Sequence, residues 1–261
     1  MRLTTWNVLW RFRPDWRARE RALLAVLSDV RPDVLALQEC WEHDGRSQAD
    51  VVAEHLGGYA TFVGPSLPPV PDPPEHDEQR GVRMGLGLVT RRPPLDVREH
   101  VLPVSHRQVA PVALEAHLSD PDGRRFDVLV AATEWEPAYA DDHLAQTRRL
   151  AELLTDAPHP RFLLADLNAD TGMPELAPLL AVADDAYALG GGDPAAVTLS
   201  REVPFAPLEA TKEMDRRIDH VLVAHGSGVR VRDAFVVTTT VEGTYPSDHF
   251  PVVVDVDLPG R

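Results

Sequence analysis

The chain predicts a mixed α/β class in which strands dominate and a few helices separate them. Short apolar runs such as VLALQ, FLLAD and FPVVVDVDL recur and read as strands. Other stretches carry apolar residues at helical spacing, with Leu23, Val26, Leu27 and Val30 at i, i+3, i+4 and i+7. A polar signature stands where each of several strand-like runs stops: TWNVLW around Asn7, VLALQEC around Glu39, FLLADLNAD around Asp166 and Asn168, RRIDHVLV around Asp219, and YPSDHFPVVVDV around Asp248 and His249.

In chain order, residues 2–10 alternate and begin a strand. Pro14-Asp15 offers a cap to a helix over 16–30, and Pro32-Asp33 ends it. Residues 34–38 form a buried strand that delivers Glu39, and a second helix runs from about Ser47 to Leu56. The segment 65–80 is proline-rich and acidic, hence an extended loop. GLGLVTRR, VALEAHL and FDVLVAAT are strands, with a DPDG turn at 120–123. Residues 142–154 read as a capped amphipathic helix, and FLLAD as another buried strand. GGGD at 190–193 punctuates a long irregular stretch before the strands IDHVLVA, VRDAFVV and FPVVVDVDL. No repeat or interdomain linker is visible, so residues 1–261 are expected to form a single domain.

Bulk properties restrict the partners. There is no run of about 18 apolar residues for a membrane span and no leader-like N-terminus, so a cytoplasmic location is expected. The single cysteine, Cys40, excludes an internal disulfide and reads as structural. A net charge of −15, with Lys212 the sole lysine, disfavours nucleic acid, whose nonspecific binding needs several basic contacts to phosphate. Arginine pairs remain as local phosphate guides: Arg11/Arg13, Arg91/Arg92, Arg124/Arg125 and Arg216/Arg217. No obligate protein partner is implied.

A fold that gathers strand ends would turn the five signatures into one cluster of hard oxygen ligands with a histidine. That is a magnesium site beside a base, suited to phosphoester chemistry. Asp166 and Asn168 lie two apart and share a side of an extended segment. The carboxylate would hold or deprotonate the attacking water, and the amide would bind a nonbridging phosphate oxygen.

The order N…QE…DLN…RIDH…SDHFPV resembles the endonuclease/exonuclease/phosphatase superfamily from about residue 2 to 257. The resemblance implies an α+β, four-layer α/β/β/α sandwich, with two mostly antiparallel sheets face to face and helices outside. It implies Glu39 as the principal Mg²⁺ ligand (Mn²⁺ substituting), with Asn7 and Asp248 beside it. It also implies His249 as base or electrostatic stabiliser, oriented by Asp219. His220 falls where the family often has an aromatic, and so should pack. The expected activity is water attack on a phosphomonoester or phosphodiester, with a small-molecule or lipid-like substrate favoured. A DNA nuclease, a catalytically impaired binding module and a metal enzyme of other chemistry are the alternatives.

One slot departs from that pattern. Where the family has Thr-His-Leu, Thr133 is followed by Glu134 and Trp135. Loss of a positioned donor typically costs about 10²–10³-fold in rate. The candidates to compensate are Glu134 itself, as ligand of a second metal, with Tyr139 or His143 as a replacement donor. Glu134 or Trp135 is expected to face the site mouth, with Arg216 or Arg217 as a balancing cation.

Overall fold

The computed structural model describes residues 1–13, 15–156 and 159–260. The elements are β1 (Arg2–Asn7), α1 (Trp16–Val30), β2 (Val34–His43), β3 (Arg46–Ser47), α2 (Gln48–Leu56), β4 (Tyr59–Val63), β5 (Arg83–Thr90), β6 (Asp96–Val101) and β7 (Val112–Ser119). They continue with β8 (Arg125–Ala132), α3 (Ala140–Thr155), β9 (Arg161–Asp166), α4 (Ala177–Leu180), β10 (Ala183–Asp185), α5 (Ala186–Leu189), β11 (Asp219–Ala224), β12 (Arg230–Val236) and β13 (Val252–Asp257).

One sheet has the order β12-β13-β1-β2-β5-β4, with β3 paired to β2; the other has the order β10-β11-β9-β8-β7-β6. Each holds one parallel pair, β1 with β2 and β8 with β9, and is otherwise antiparallel. Alternation along the strands builds the layers. Leu3, Val34, Ala36, Phe162, Leu164, Val221, Val252 and Val254 pack between the sheets. Their neighbours Leu35, Leu37 and Val253 turn outward onto Leu23 and Leu27 of α1 and Val52 of α2. Leu163, Ala165 and Leu222 turn the other way onto Leu150 and Leu154 of α3. The result is the expected four-layer sandwich.

The same parity sends Asn7, Gln38, Asp166 and Asp219 into the layer between the sheets, because they continue the inward sets Leu3, Val34-Ala36, Phe162-Leu164 and Val221-Val223. Gln38 ties the sheets together: its Nε2 donates to Leu164 O at 3.3 Å and its Oε1 accepts from Thr5 Oγ1 at 3.2 Å.

Glu39 does not end a strand. β2 continues to His43, and its register against β5 slips between Leu37 and Cys40. Glu39 has φ +52, and Cys40 takes the outward place that Glu39 would hold in a regular strand. This bulge faces Gly85 and Gly87, the partners of Cys40 and Leu37. A Cβ on Gly85 would sit 2.1 Å from Val63 O of β4, too close for any side chain, and one on Gly87 would press on the Cys40 side chain, 3.0 Å from its Sγ.

Four strands lie beyond the sequence reading: β4, β6 and β10 are sheet edges, and β3 is a two-residue pairing with β2. Most of their residues are exposed or half-buried, so they carry no apolar signature. α1 matches its expected span; Pro14 lies outside the described residues, and Asp15 makes no side-chain cap bond. α2 begins with a capping box between Ser47 and Asp50. α3 starts two residues earlier than expected and has no side-chain cap. Its Asp142 instead accepts from Ser105 N at 2.9 Å and from His106 Nδ1 at 2.7 Å.

Candidate active site

The C-terminal ends of β1 and β9, the bulge of β2, the start of β11 and the segment before β13 meet at one end of the sandwich. Asn7 is a second link between the sheets, beside Gln38. Its Nδ2 donates to Glu39 Oε1 and to Asp166 Oδ2, each at 2.9 Å, while its Oδ1 accepts from Leu9 N at 3.0 Å. The amide nitrogen, not the oxygen, therefore faces the carboxylates, and Asn7 orients them.

Across β9 and β11, Asp166 and Asp219 are direct partners in the antiparallel register. His249 sits against them, its Nδ1 donating to Asp219 Oδ2 at 2.8 Å. Thr198, fully buried, holds the start of β11: its Oγ1 accepts from Ile218 N at 3.0 Å and Asp219 N at 3.1 Å. On the other side, Trp6 Nε1 donates to His249 O at 2.9 Å, and Ser247 Oγ donates to Asn7 O at 2.7 Å and accepts from His249 N at 3.2 Å. Arg19, although 2% exposed, clamps the neighbouring loops by donating to Trp10 O at 2.8 Å and Val8 O at 3.3 Å.

Charge is concentrated here. Burial, and then the Asp248 carboxylate, push the Glu39 carboxyl up to about 8. Burial and Asp219 raise Asp166 to about 6. Burial alone would lower His249, but Asp219, Asp166 and Asp248 outweigh it and hold the imidazolium well above its ordinary value. Glu39 Oε2 and Asp219 Oδ1 are buried without a hydrogen-bond partner. An unmatched carboxylate oxygen amid further carboxylates fits a hard divalent cation, which prefers oxygen ligands. Asp166, Asp219 and His249 each present an atom within 4.8 Å of the others.

A cleft of about 570 Å³ opens onto this end, walled by Asn7, Glu39, Asp166, Asn168, Asp248 and His249 on the chemical side. Asn168 has φ +47, its N donating to Asp166 Oδ1 at 3.1 Å and its Nδ2 to Thr133 O at 2.9 Å. Asp219 stands behind His249, fully buried.

The expectations for the anomalous slot need correction. Glu134 is fully buried and does not reach the cleft; Trp135 does. The Glu134 carboxylate is held by Arg107, with Nη2 donating at 3.0 and 3.1 Å, and by the N–H groups of Trp135 and Glu136. Its balancing cation is thus Arg107, neither Arg216 nor Arg217. Tyr139 stacks flat on His106, with ring centroids 3.3 Å apart, and His143 lies beneath Thr133, donating from Nε2 to Leu167 O at 2.9 Å. Burial, followed by Lys212, lowers His143 to about 4.

Nor do the two proposed phosphate arginines face the cleft. Arg216 pairs with Asp170, and Arg217 pairs with Asp185 and covers the Tyr187 ring. Arg13 lines the cleft in their place. His220 is packed on the outer face, as expected, its Nε2 donating to Ala169 O at 2.8 Å. Sequence reading missed Thr198, in the stretch read as irregular, and Glu213 as part of the cleft wall; no motif marks either.

The chain matches the Endonuclease/Exonuclease/phosphatase family over residues 4–249. No curated protein matches it in sequence. Among solved structures, the human Nocturnin catalytic domain with bound sulfate is similar at 21% identity, covering 99% of this chain and 94% of that one, with TM-score 0.76. A Bacteroides thetaiotaomicron mannosyl-6-phosphatase is similar at 19% identity, covering 99% and 100%, with TM-score 0.74. A humanized D. rerio TDP2 is similar at 16% identity, covering 98% of each, with TM-score 0.71. These likenesses are of fold, whereas the family match runs through every signature from Asn7 to His249, and the chain belongs to the endonuclease/exonuclease/phosphatase family.

Proposed function

We propose that this protein is a divalent-metal-dependent phosphoester hydrolase acting on a small-molecule or lipid-like substrate. The observation that carries the reading is the cleft in which Glu39, bridged to Asp166 through Asn7, presents a buried carboxylate oxygen with no partner beside Asp248 and a charged His249. Family members are hydrolases of phosphoester bonds. Glu39 and Asp248 would hold Mg²⁺ or Mn²⁺, with Asn7 orienting Glu39. The metal, when bound, supplies charge neutralisation at the phosphate.

The chain's own groups divide the remaining work. Asp166, with its carboxyl near 6, accepts the proton of the attacking water. His249 is held as an imidazolium by Asp219 and Asp166, so it stabilises the charge that develops on the phosphate oxygens. Asn168 fixes Asp166 through its backbone N–H and keeps one amide hydrogen on Thr133 O. The carboxylates along the cleft, with Arg13 as its one lining arginine among the described residues, disfavour a polyanion such as duplex DNA.

The test is turnover of aryl phosphate mono- and diesters by the chelator-stripped full chain, with and without added Mg²⁺ or Mn²⁺. The expected result is metal-dependent hydrolysis that Glu39→Gln abolishes. Absence of turnover with either metal overturns the reading. Tight, salt-sensitive retention on DNA would move the substrate to nucleic acid.

A further inference from the structure

The cleft has a second wall that the phosphoester chemistry does not use. It is built by the segment around Phe205, Pro207 and Glu213, with Phe12 and Trp135 lining the same cleft. Glu213 is 1% exposed, and neither of its carboxylate oxygens has a hydrogen-bond partner. Its neighbour Lys212 gives it no counter-charge at bonding distance, because Nζ donates to Glu175 Oε1 at 2.8 Å. The backbone holds the residue in place, with Glu213 N donating to Ala210 O at 3.1 Å. A buried carboxyl with no donor is costly unless something supplies one. Burial pushes this one up to about 7 despite the opposing charge of Lys212, and Asp166 and Glu175 add to the rise. Arg13, at the rim, lies 3.6 Å from Asp15 and over the Phe205 ring at 5.1 Å.

We propose that Glu213 is the floor of a cation subsite that receives an ammonium group on the organic half of the phosphoester. The inference rests on the phosphoesterase reading for the other half of the substrate. Three features of the wall agree. Six carboxylates and a single guanidinium line the cleft among its described residues, so after one divalent ion and one phosphate are seated the surplus charge is still negative. The rings of Phe12 and Trp135 line the same cleft, and aromatic rings attract a desolvated cation, whereas the Phe205 ring already carries Arg13. Glu213 offers two free acceptor oxygens and no donor while ionised, which matches an ammonium and repels a carboxylate or second phosphate.

The experiment compares three p-nitrophenyl phosphodiesters with Mn²⁺, whose second alcohols are 2-aminoethyl, propyl and 2-carboxyethyl. Wild type should prefer the aminoethyl over the propyl ester by at least about tenfold in kcat/KM, mainly through KM, with the carboxyethyl ester poorest. Glu213→Gln should collapse the aminoethyl-to-propyl ratio toward one. A ratio near one in wild type, or an unchanged ratio in Glu213→Gln, overturns the subsite. Should Glu213→Gln fail to fold, Glu213→Met, of similar volume and without polar atoms, serves in the same comparison. If wild type hydrolyses none of the esters, the phosphoesterase reading fails and the subsite is read separately. Calorimetric binding of ethylammonium at fixed ionic strength, lost in Glu213→Gln, then sustains it, and no binding overturns it.

Discussion

Asp166 and Asp219 face each other directly across β9 and β11, two buried carboxylates in one register pair. Like charges so placed are unfavourable, and His249, bonded to Asp219 at 2.8 Å, is what offsets them. Asp219→Asn should therefore lower the His249 pKa toward its ordinary value, read by NMR titration of the ring, and reduce kcat by about 10²-fold or more. An unmoved imidazole titration would show that Asp219 does not set its charge.

Glu39→Gln should remove metal binding while leaving the fold. The replaced carboxyl is buried, with one oxygen unpartnered, so loss of its charge relieves the metal-free protein. The expected result is no heat of Mg²⁺ or Mn²⁺ binding by calorimetry, and a metal-free Tm equal to or above the parent's.

Stability of the metal-free protein should fall as pH rises from about 6.5 to about 8, above the range in which His143 and His220, lowered by burial to about 4, pull the other way. Glu39 and Asp166 have folded-state values raised by burial to about 8 and about 6, so the folded chain keeps protons that the unfolded chain has released. Their stabilising contribution is complete below the unfolded values and is lost as pH climbs through the folded ones. His249, also raised, acts in the same direction. Bound Mg²⁺ selects the ionised carboxylates, so saturating metal should flatten or reverse the Tm-against-pH slope.

Glu134→Ala should act on stability before chemistry. It strips Arg107 of its main carboxylate partner and frees the N–H groups of Trp135 and Glu136. The expected loss is roughly 2–3 kcal/mol, read from denaturant midpoints. Activity would follow only so far as Trp135 shifts in the cleft wall.

Thr198→Val keeps the shape of a fully buried side chain but removes the acceptor of two backbone N–H groups at the start of β11. A cost of about 2 kcal/mol is expected. Hydrogen exchange at Ile218 and Asp219 should accelerate more than elsewhere in the sheet.

Much of this was legible in the sequence where burial imposes a period. The inward parity of Leu3, Val34, Phe162 and Val221 is written in their apolar runs, and it carries Asn7, Asp166 and Asp219 to one layer. What was not legible depends on contacts between distant segments. The bulge at Glu39 lies opposite two glycines of β5, a strand remote in sequence. Glu134 looked like a carboxylate loose in the site because its partner, Arg107, comes from a segment with no pattern of its own. Arg216 and Arg217 looked like free cations for the same reason, their acids lying at Asp170 and Asp185.

The bond from Trp6 to His249 spans 243 residues, and β1 lies between β2 and β13. At roughly 5–20 residues per second of synthesis, β1 waits on the order of 10–50 s for its second neighbour. Until β13 and the preceding histidine emerge, the opposed carboxylates of Asp166 and Asp219 have no imidazolium between them, and Asn7 lacks the serine that anchors its carbonyl. A nascent chain thus acquires the fold's most electrostatically demanding corner last, and a truncated product would present acids without their balancing ring.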